Sequence, residues 1–438
     1  MTARFLPGVR RAAVVAALWI PAAQTGAAFA TSEPMAPGAV LDELRREVLA
    51  ANPRLAAARH RWEAAEFRAS VRGSFPDPRV NWVRFLESVE TKTGPQTDRI
   101  GVRQRIPWPG RLDAREAEAS SLASVLRAGV DDTRVGLLRD ITHAWADLYL
   151  LDREVDITRE NLDILIELER VLRQRYRTGT ARHADLVKVQ VELGELEDRL
   201  RSLEDRRRPV LARINALRRS SRSEGVPSAG EPRVFPGVPS LEEVSGALLD
   251  RAPRLRARDR AVDAAGEAER LARMEAYPDL IAGVDWIRTG TESASSAGDA
   301  GRDPVAVSFA VDLPVFRGRI RDGVHAAEAS LEEARAARVA EEDRLFVDAE
   351  DALYRLRDAV RREELYRQGL LPKARESWIA SLTAYEAARG GFLDLMDARR
   401  TLLAFELAHA RARADRCRGL ADLEAITGVD WAGREENR

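Results

Sequence analysis

The chain sets out one series of landmarks twice, in the same order. Asn52-Pro53-Arg54-Leu55 returns as Ala252-Pro253-Arg254-Leu255, and Phe75-Pro76-Asp77 returns as Tyr277-Pro278-Asp279. Ile106-Pro107-Trp108-Pro109-Gly110-Arg111 returns loosely as Leu313-Pro314-Val315-Phe316-Arg317-Gly318-Arg319. Tyr176 followed by Asp185-Leu186 returns as Tyr385 followed by Asp394-Leu395. The spacing grows from 200 to 202, 207 and 209 residues, so small insertions separate the copies while the order is kept. A fold for this chain must use one supersecondary unit twice.

Each copy alternates long helical tracts with a pair of short strands. Residues 40–72 read as a first helix, with Leu41, Leu44, Val48, Leu49 and Leu55 on one face and Pro76 and Pro78 beyond its end. Residues 79–90 and 98–107 read as strands, because Ile100, Val102 and Ile106 alternate with Arg99, Arg103 and Arg105. A proline-free helix from Arg111 to about Tyr176 follows, then a turn at Thr178-Gly179-Thr180 and a helix over 183–218. The second copy reads as a helix over 240–274, strands over 279–289 and 304–315, a helical tract over 320–387 kinked at Pro372, a Gly390-Gly391 turn and a helix over 392–427. The loop between its strands, from Thr289 to Asp303, is rich in Ser, Gly and Ala and reads as exposed. The expected organisation is a first repeat at 31–218 (strand pair 79–107, tip near 177–184) and a Ser/Gly/Pro-rich linker at 219–239. A second repeat at 240–428 (strand pair 279–315, tip near 387–393) and a tail at 429–438 complete it.

Composition supports long helices: charged residues reach 32% with both signs balanced, while aromatics are only 6%. A formal net charge of −1 gives no electrostatic case for a nucleic-acid partner. At the N-terminus Arg4, Arg10 and Arg11 precede an apolar run at 12–20 and the small-x-small site Ala28-Phe29-Ala30. Residues 1–30 therefore read as a signal peptide cleaved after Ala30. The apolar run is far short of the ~20 residues of a membrane helix, and no later segment approaches that length. Cys417 is the single cysteine, so no disulfide forms within the chain and no cysteine stands at the cleavage site to carry a lipid.

An exported chain of this kind is periplasmic or lies in an outer membrane as a β-barrel. Each strand approaches the ~9–11 residues that a tilted transmembrane strand needs. Phe75, Trp108, Tyr277 and Phe316 fall at strand ends, where membrane-interface aromatics stand. A small soluble four-stranded sheet under a helical domain fits the strand pattern too. If the strands do span a membrane, four of them cannot close a barrel, and an open edge cannot exist in lipid. Other copies of the chain must then complete it. The expected architecture is mainly α with a small β part, a homo-oligomer with a β-barrel above a barrel of helical hairpins.

The ordered set of motifs resembles the TolC family of outer-membrane efflux channels over about 40–428. Tyr176, Gly179, Asp185 and Leu186 are similar to the family's first helix–helix tip; Tyr385, Gly390-Gly391 and Asp394-Leu395-Met396-Asp397-Ala398 are similar to its second. Residues 104–112 and Phe75-Pro76-Asp77-Pro78 look most like members serving heavy-metal efflux pumps. The resemblance implies a homotrimer with twelve strands in one barrel in outer-membrane lipid. It also implies a periplasmic helical tunnel that docks onto a periplasmic adaptor (a membrane fusion protein) and an inner-membrane pump. Drug efflux and type I protein secretion compete with metal efflux within that class. A coiled-coil adaptor or a structural protein is a more distant alternative.

The resemblance also marks candidate residues. Asp394 and Asp397 stand three apart just past the second tip, where threefold symmetry would stack them as carboxylate rings favouring cations. They serve equally as carboxylates at a helix N-terminus. Asp185 and Tyr385 match positions that hold neighbouring helices shut, or else are a capping Asp and a packed Tyr. Gly390 stands where the family has an arginine in the second tip, and Arg389 comes one residue earlier, which leaves that part of the latch open. Tyr176, Gly179, Gly390 and Gly391 mark adaptor-docking tips, and the glycines are also helix-end residues. His60, His143, His183, His325 and His409 are scattered without ligand spacing, so no metal site or cofactor is expected. Nucleophile elbows and phosphate loops are absent, which leaves no enzyme reading.

Overall fold

Asn52 and Ala252 stop what the periodicity reads as single helices. A computed structural model describes residues 38–433 except 92–93, 222–223, 234–236, 291–301 and 388; the expected signal peptide, most of the 289–303 loop and residues 434–438 lie outside the described residues. In place of one helix over 40–72 the chain forms α1 (Ala39–Ala51) and α2 (Pro53–Gly73); in place of 240–274 it forms α5 (Leu241–Arg251) and α6 (Pro253–Met274). The reason is proline. Pro53 and Pro253 stand in the first turn of the second helix of each pair, and the preceding residue is driven to extended ψ values of 123° and 118°. The Asn52 side chain then accepts a hydrogen bond from the Arg54 amide at 2.9 Å.

Between these pairs run β1 (Arg79–Val89), β2 (Gln96–Ile106), α3 (Arg111–Arg177) and α4 (His183–Arg218). After α6 come β3 (Asp279–Thr289), β4 (Val305–Asp312), α7 (Arg317–Glu364), α8 (Leu371–Glu386) and α9 (Phe392–Thr427). Helix–helix–strand–strand–helix–helix thus runs once through 39–218 and again through 241–427, with one addition. The kink expected at Pro372 is a π-helical turn, Leu365–Leu370, after which Pro372 lies in the first turn of α8. Strand β4 ends at Asp312 rather than 315, where Pro314 offers no amide to continue the ladder. At 67 residues α3 is about 100 Å long. No helix among the described residues is long and apolar enough to cross a membrane.

The four strands form one antiparallel sheet in the order β1-β2-β3-β4, so β1 and β4 are free edges. Register sorts the side chains by face. One face carries Val80, Trp82, Ile100, Val102, Ile106, Leu280, Val284, Trp286, Val305, Val307, Phe309 and Val311, all exposed, together with Gln104 and, near one end, the row Arg84, Asp98 and Arg288. The other carries Arg79, Asn81, Arg99, Arg103, Arg105, Asp279, Asp285, Ser308 and Asp312. It is therefore not wholly cationic, as β2 alone suggests. Asp285, nearly inaccessible, accepts from Arg99 Nε at 2.9 Å, and Asp312 pairs with Arg105 at 3.0 Å.

The helices hold three larger cores. One gathers Leu44, Val48, Leu137, Ile141, Trp145, Leu148 and Ile214. Two residues of the expected linker belong to it: Val226 and Ala229 are buried there, and Trp145 Nε1 donates to the Ala229 carbonyl at 3.2 Å. A second core packs Val244, Leu248, Leu345, Leu353 and Leu356 around Trp431, so the chain beyond α9 is anchored at least that far. The third lies at the tips.

Candidate functional site

The third core joins the two helical hairpins. Leu165, Leu168 and Leu172 of α3, Leu186, Val189 and Leu196 of α4, and Phe392, Leu395 and Met396 of α9 are buried together, with Trp378, Leu382 and Tyr385 of α8 packed against them. Long hairpins from the two halves of the chain therefore end side by side.

At the first tip α3 ends in a turn that only glycine adopts without strain. Gly179 has φ +77°, its amide donates to the Tyr176 carbonyl at 3.0 Å, and the Thr180 amide donates to the Arg175 carbonyl at 2.8 Å. At the second tip the constraint on Gly390 is space. A Cβ there would lie 3.0 Å from the Ala384 Cβ, and the Gly390 amide donates to the Ala384 carbonyl at 3.0 Å. Gly391 caps α9 in extended conformation. Tyr176 is exposed and lies 5.3 Å from the His183 ring across the turn.

Asp185 and Tyr385, expected to form a latch, lie near each other without a bond between them. Asp185, buried in the first turn of α4, lies 3.6 Å from Arg182 of its own turn. Tyr385 does not hydrogen-bond Asp185 within the chain. Its ring faces Arg175, whose guanidinium carbon is 5.0 Å from the ring centroid, and it meets Phe392 edge-on at 6.0 Å. Burial pushes the Tyr385 phenol above its ordinary pKa, against the pull of Arg175. The arginine of this contact thus comes from the first tip, not from Arg389 of the second. Sequence reasoning passed over Arg175 because it is one of many arginines at helical spacing, and nothing local shows which ring lies opposite.

Asp394 and Asp397 are exposed on one side of α9, while Leu395 and Met396 between them are buried. Asp394 lies in the first helical turn, where a carboxylate is favoured by the helix dipole. Neither carboxylate has an ion-pair partner within the described residues. Further along the same exposed side the charges are matched: Arg400 pairs with Glu192 of α4, and Arg411 reaches Glu154 of α3 at 3.4 Å. Glu192 and Glu154 are themselves buried, and periodicity alone does not reveal that role. The stripe therefore carries ion pairs and, at its tip end, two carboxylates without an ion-pair partner among the described residues, of which Asp397 feels the charge of Arg400.

Two of the four strand-end aromatics have each other as partners. Trp108 stacks on Tyr277 with centroids 5.2 Å apart and planes 11° from parallel, beside a buried ion pair between Arg111 and Asp279. Phe75 and Phe316 are exposed.

The site is thus framed by a four-stranded sheet with one largely apolar face and two open edges, continued by helical hairpins. Residues 244–429 match the family model described as outer membrane efflux protein. The cobalt-zinc-cadmium resistance protein CzcC of Cupriavidus metallidurans is 20% identical over 316 residues, 72% of each chain. Among solved structures, the outer-membrane channel OprN superposes with a TM-score of 0.75 at 19% identity, covering 90% of this chain and 91% of that one. CusC, described in terms of transmembrane channel formation, gives 0.73 at 16% identity, covering 88% and 91%.

Proposed function

We propose that this chain is the outer-membrane conduit of a tripartite efflux assembly, and that its cargo is heavy-metal cations. Its two runs of elements act as structural repeats. Three copies close one twelve-stranded barrel, β4 of each pairing with β1 of the next, and their hairpins form a periplasmic tunnel. The tips at Tyr176, Gly179, Gly390 and Gly391 meet a periplasmic adaptor fed by an inner-membrane pump. Residues 1–30 direct export and are removed. The chain moves substrate and does no covalent chemistry.

One observation carries this reading: the sheet exposes a largely apolar face, interrupted by Gln104 and by the Arg84–Asp98–Arg288 row near one end, and leaves the outer edges of β1 and β4 unpaired. In water such edges invite aggregation, and in lipid each unpaired amide and carbonyl is strongly unfavourable. Strands of 8 to 11 residues are long enough to span, or nearly span, the apolar layer when tilted. A barrel closed between copies meets all three conditions.

The metal assignment is supported by the relative named for cobalt, zinc and cadmium resistance and by the unpaired Asp394 and Asp397 near the tip. A conduit has no use for tight ligands, because a bound ion must leave. Growth of a host lacking this gene tests the cargo. Hypersensitivity to zinc, cobalt or cadmium, reversed by the intact gene, is the expected result. Unchanged metal tolerance with lost tolerance to dyes and antibiotics would replace metals by drugs.

A further inference from the structure

We propose that Asp77 of one copy and Arg319 of its neighbour form an ion pair that clamps adjacent subunits beneath the barrel, with Phe75 and Phe316 packed beside it. The inference rests on the ring reading above and adds the residues that hold the ring together.

The argument starts from the junction inside the chain. Where the first run of elements meets the second, β2 pairs with β3 and α3 packs on α6. Below that seam lies a built clamp. Arg111 Nη1 donates to Asp279 Oδ1, and its Nη2 donates to the carbonyls of Met274 at 2.7 Å and Tyr277 at 2.6 Å. The Trp108 amide donates to the same Asp279 oxygen at 3.1 Å, and the Trp108 ring stacks on Tyr277. Arg111 and Asp279 are both buried. The clamp is made from Trp108-Pro109-Gly110-Arg111, which follows β2, and Tyr277-Pro278-Asp279, whose last residue opens β3.

The chain holds a second set of the same parts, and that set is unassembled. Phe75-Pro76-Asp77 precedes β1, and Val315-Phe316-Arg317-Gly318-Arg319 follows β4. Asp77 and Arg319 are exposed, and neither has a hydrogen bond or ion pair among the described residues. Phe75 is 63% exposed and Phe316 72%. Within one chain Asp77 and Arg319 line the same cleft without forming an ion pair, and the geometry that joins Arg111 to Asp279 needs neighbouring strands. β1 and β4 are instead opposite edges of the sheet, three strand spacings of about 4.8 Å apart. Pairing β4 of one copy with β1 of the next makes them neighbours and sets Arg319 toward Asp77 as Arg111 is set toward Asp279.

The helices carry the same asymmetry. α6 packs between α3 and α7, whereas its counterpart α2 packs along α3 and has no second long helix. Phe67 and Val71 of α2 are accordingly exposed, where the corresponding Glu267 and Leu271 of α6 are half-buried. The missing helix is α7 of the neighbouring copy, whose first turn contains Arg319. Assembly would desolvate both charges, so removing one partner leaves the other buried without compensation.

Charge exchange in the full chain tests the clamp. Wild type, Asp77→Arg, Arg319→Asp and the double exchange are extracted in mild detergent and run unheated on a denaturing gel. We expect a three-chain band for wild type, its loss in each single variant and its return in the double. A second readout does not depend on those charges: Asp77→Cys with Arg319→Cys in a Cys417→Ser background, treated with a short bismaleimide, should yield covalent two- and three-chain products that neither single cysteine yields. Single variants that keep the trimer, a double exchange that does not restore it, or a cysteine pair that does not cross-link would overturn the clamp while leaving the ring intact. A wild-type chain that runs as a monomer even on a native gel would remove the ring and the clamp together.

Discussion

The guanidinium carbon of Arg175 lies 5.0 Å from the centre of the Tyr385 ring, so the last turn of α3 is joined to the last turn of α8 across the two hairpins. The Arg175 Nη1 also donates to the Tyr385 carbonyl at 3.4 Å, a long bond that adds direction more than strength. A cation over a partly exposed ring is worth about 0.5–2 kcal/mol. In the proposed trimer, three such contacts would hold the tips in place and still yield to the proposed docking partner.

That contact gives the first prediction. Arg175→Ala should raise the open probability of channels in planar bilayers, and Tyr385→Ala should do the same. Tyr385→Phe keeps the ring and should stay close to wild type. If Tyr385→Phe opens the channel as far as Tyr385→Ala does, the phenol rather than the ring is the latch.

Charge selectivity at the tip is the second. Arg400 and Arg411 pair with Glu192 and Glu154, whereas Asp394 and Asp397 have no ion-pair partner among the described residues and are the carboxylates proposed to favour cations. Asp394→Asn with Asp397→Asn should move the reversal potential in a salt gradient toward that of a non-selective pore and weaken block by trivalent cations. An unchanged reversal potential and unchanged block mean these carboxylates do not face the permeation path.

Sequence and structure agree closely where punctuation is local. The bounds of α4 and α9 follow from the turns before them and from Arg219 and Gly428, which take positive φ after them. The period of two in β2 and β4 places the apolar face correctly. Disagreement arises where the deciding partner is distant in sequence. Pro53 reads as an ordinary helix residue until the chain is seen to turn there. Arg175, Arg111 and Arg400 look like any other arginine on a solvated face, yet their partners Tyr385, Asp279 and Glu192 lie more than 160 residues away. With an arginine or acid at every third or fourth position, periodicity shows that pairs form and not which pairs form. Asp185 and Tyr385 were legible as tip residues, but their bonding was not, because it depends on the angle between two hairpins.

Glu424 supplies a pH dependence. Burial raises its pKa to about 7, partly opposed by Arg45, whose Nη2 lies 3.3 Å away, and reinforced by Asp430. The unfolded chain ionises near 4.5, so between there and 7 the folded state holds a proton that the unfolded state releases. This contribution is fully present below pH 4.5 and is lost as pH rises through 7, on the order of 3 kcal/mol in all. Glu424→Gln should flatten the fall in Tm between pH 5 and 8 and make the protein more stable than wild type at pH 8. An identical pH profile for the two proteins contradicts the assignment.

The clamp inside the chain sets the scale for breaking a buried pair. Arg111→Met leaves Asp279 buried with no guanidinium beside it, and the expected loss is about 3–5 kcal/mol. Adding Asp279→Asn should recover part of it, because a neutral amide is far less unfavourable there. Chemical denaturation of the detergent-solubilised protein measures both. A double variant no more stable than Arg111→Met would mean that packing of the long side chain, not the charge, is what matters.

The central claim is that the free edges of β1 and β4 are closed by other copies of this chain. Native mass spectrometry of the protein released from detergent micelles tests it most directly. The account predicts a dominant species of three chain masses. A dominant single-chain species under conditions that retain bound lipid would contradict it.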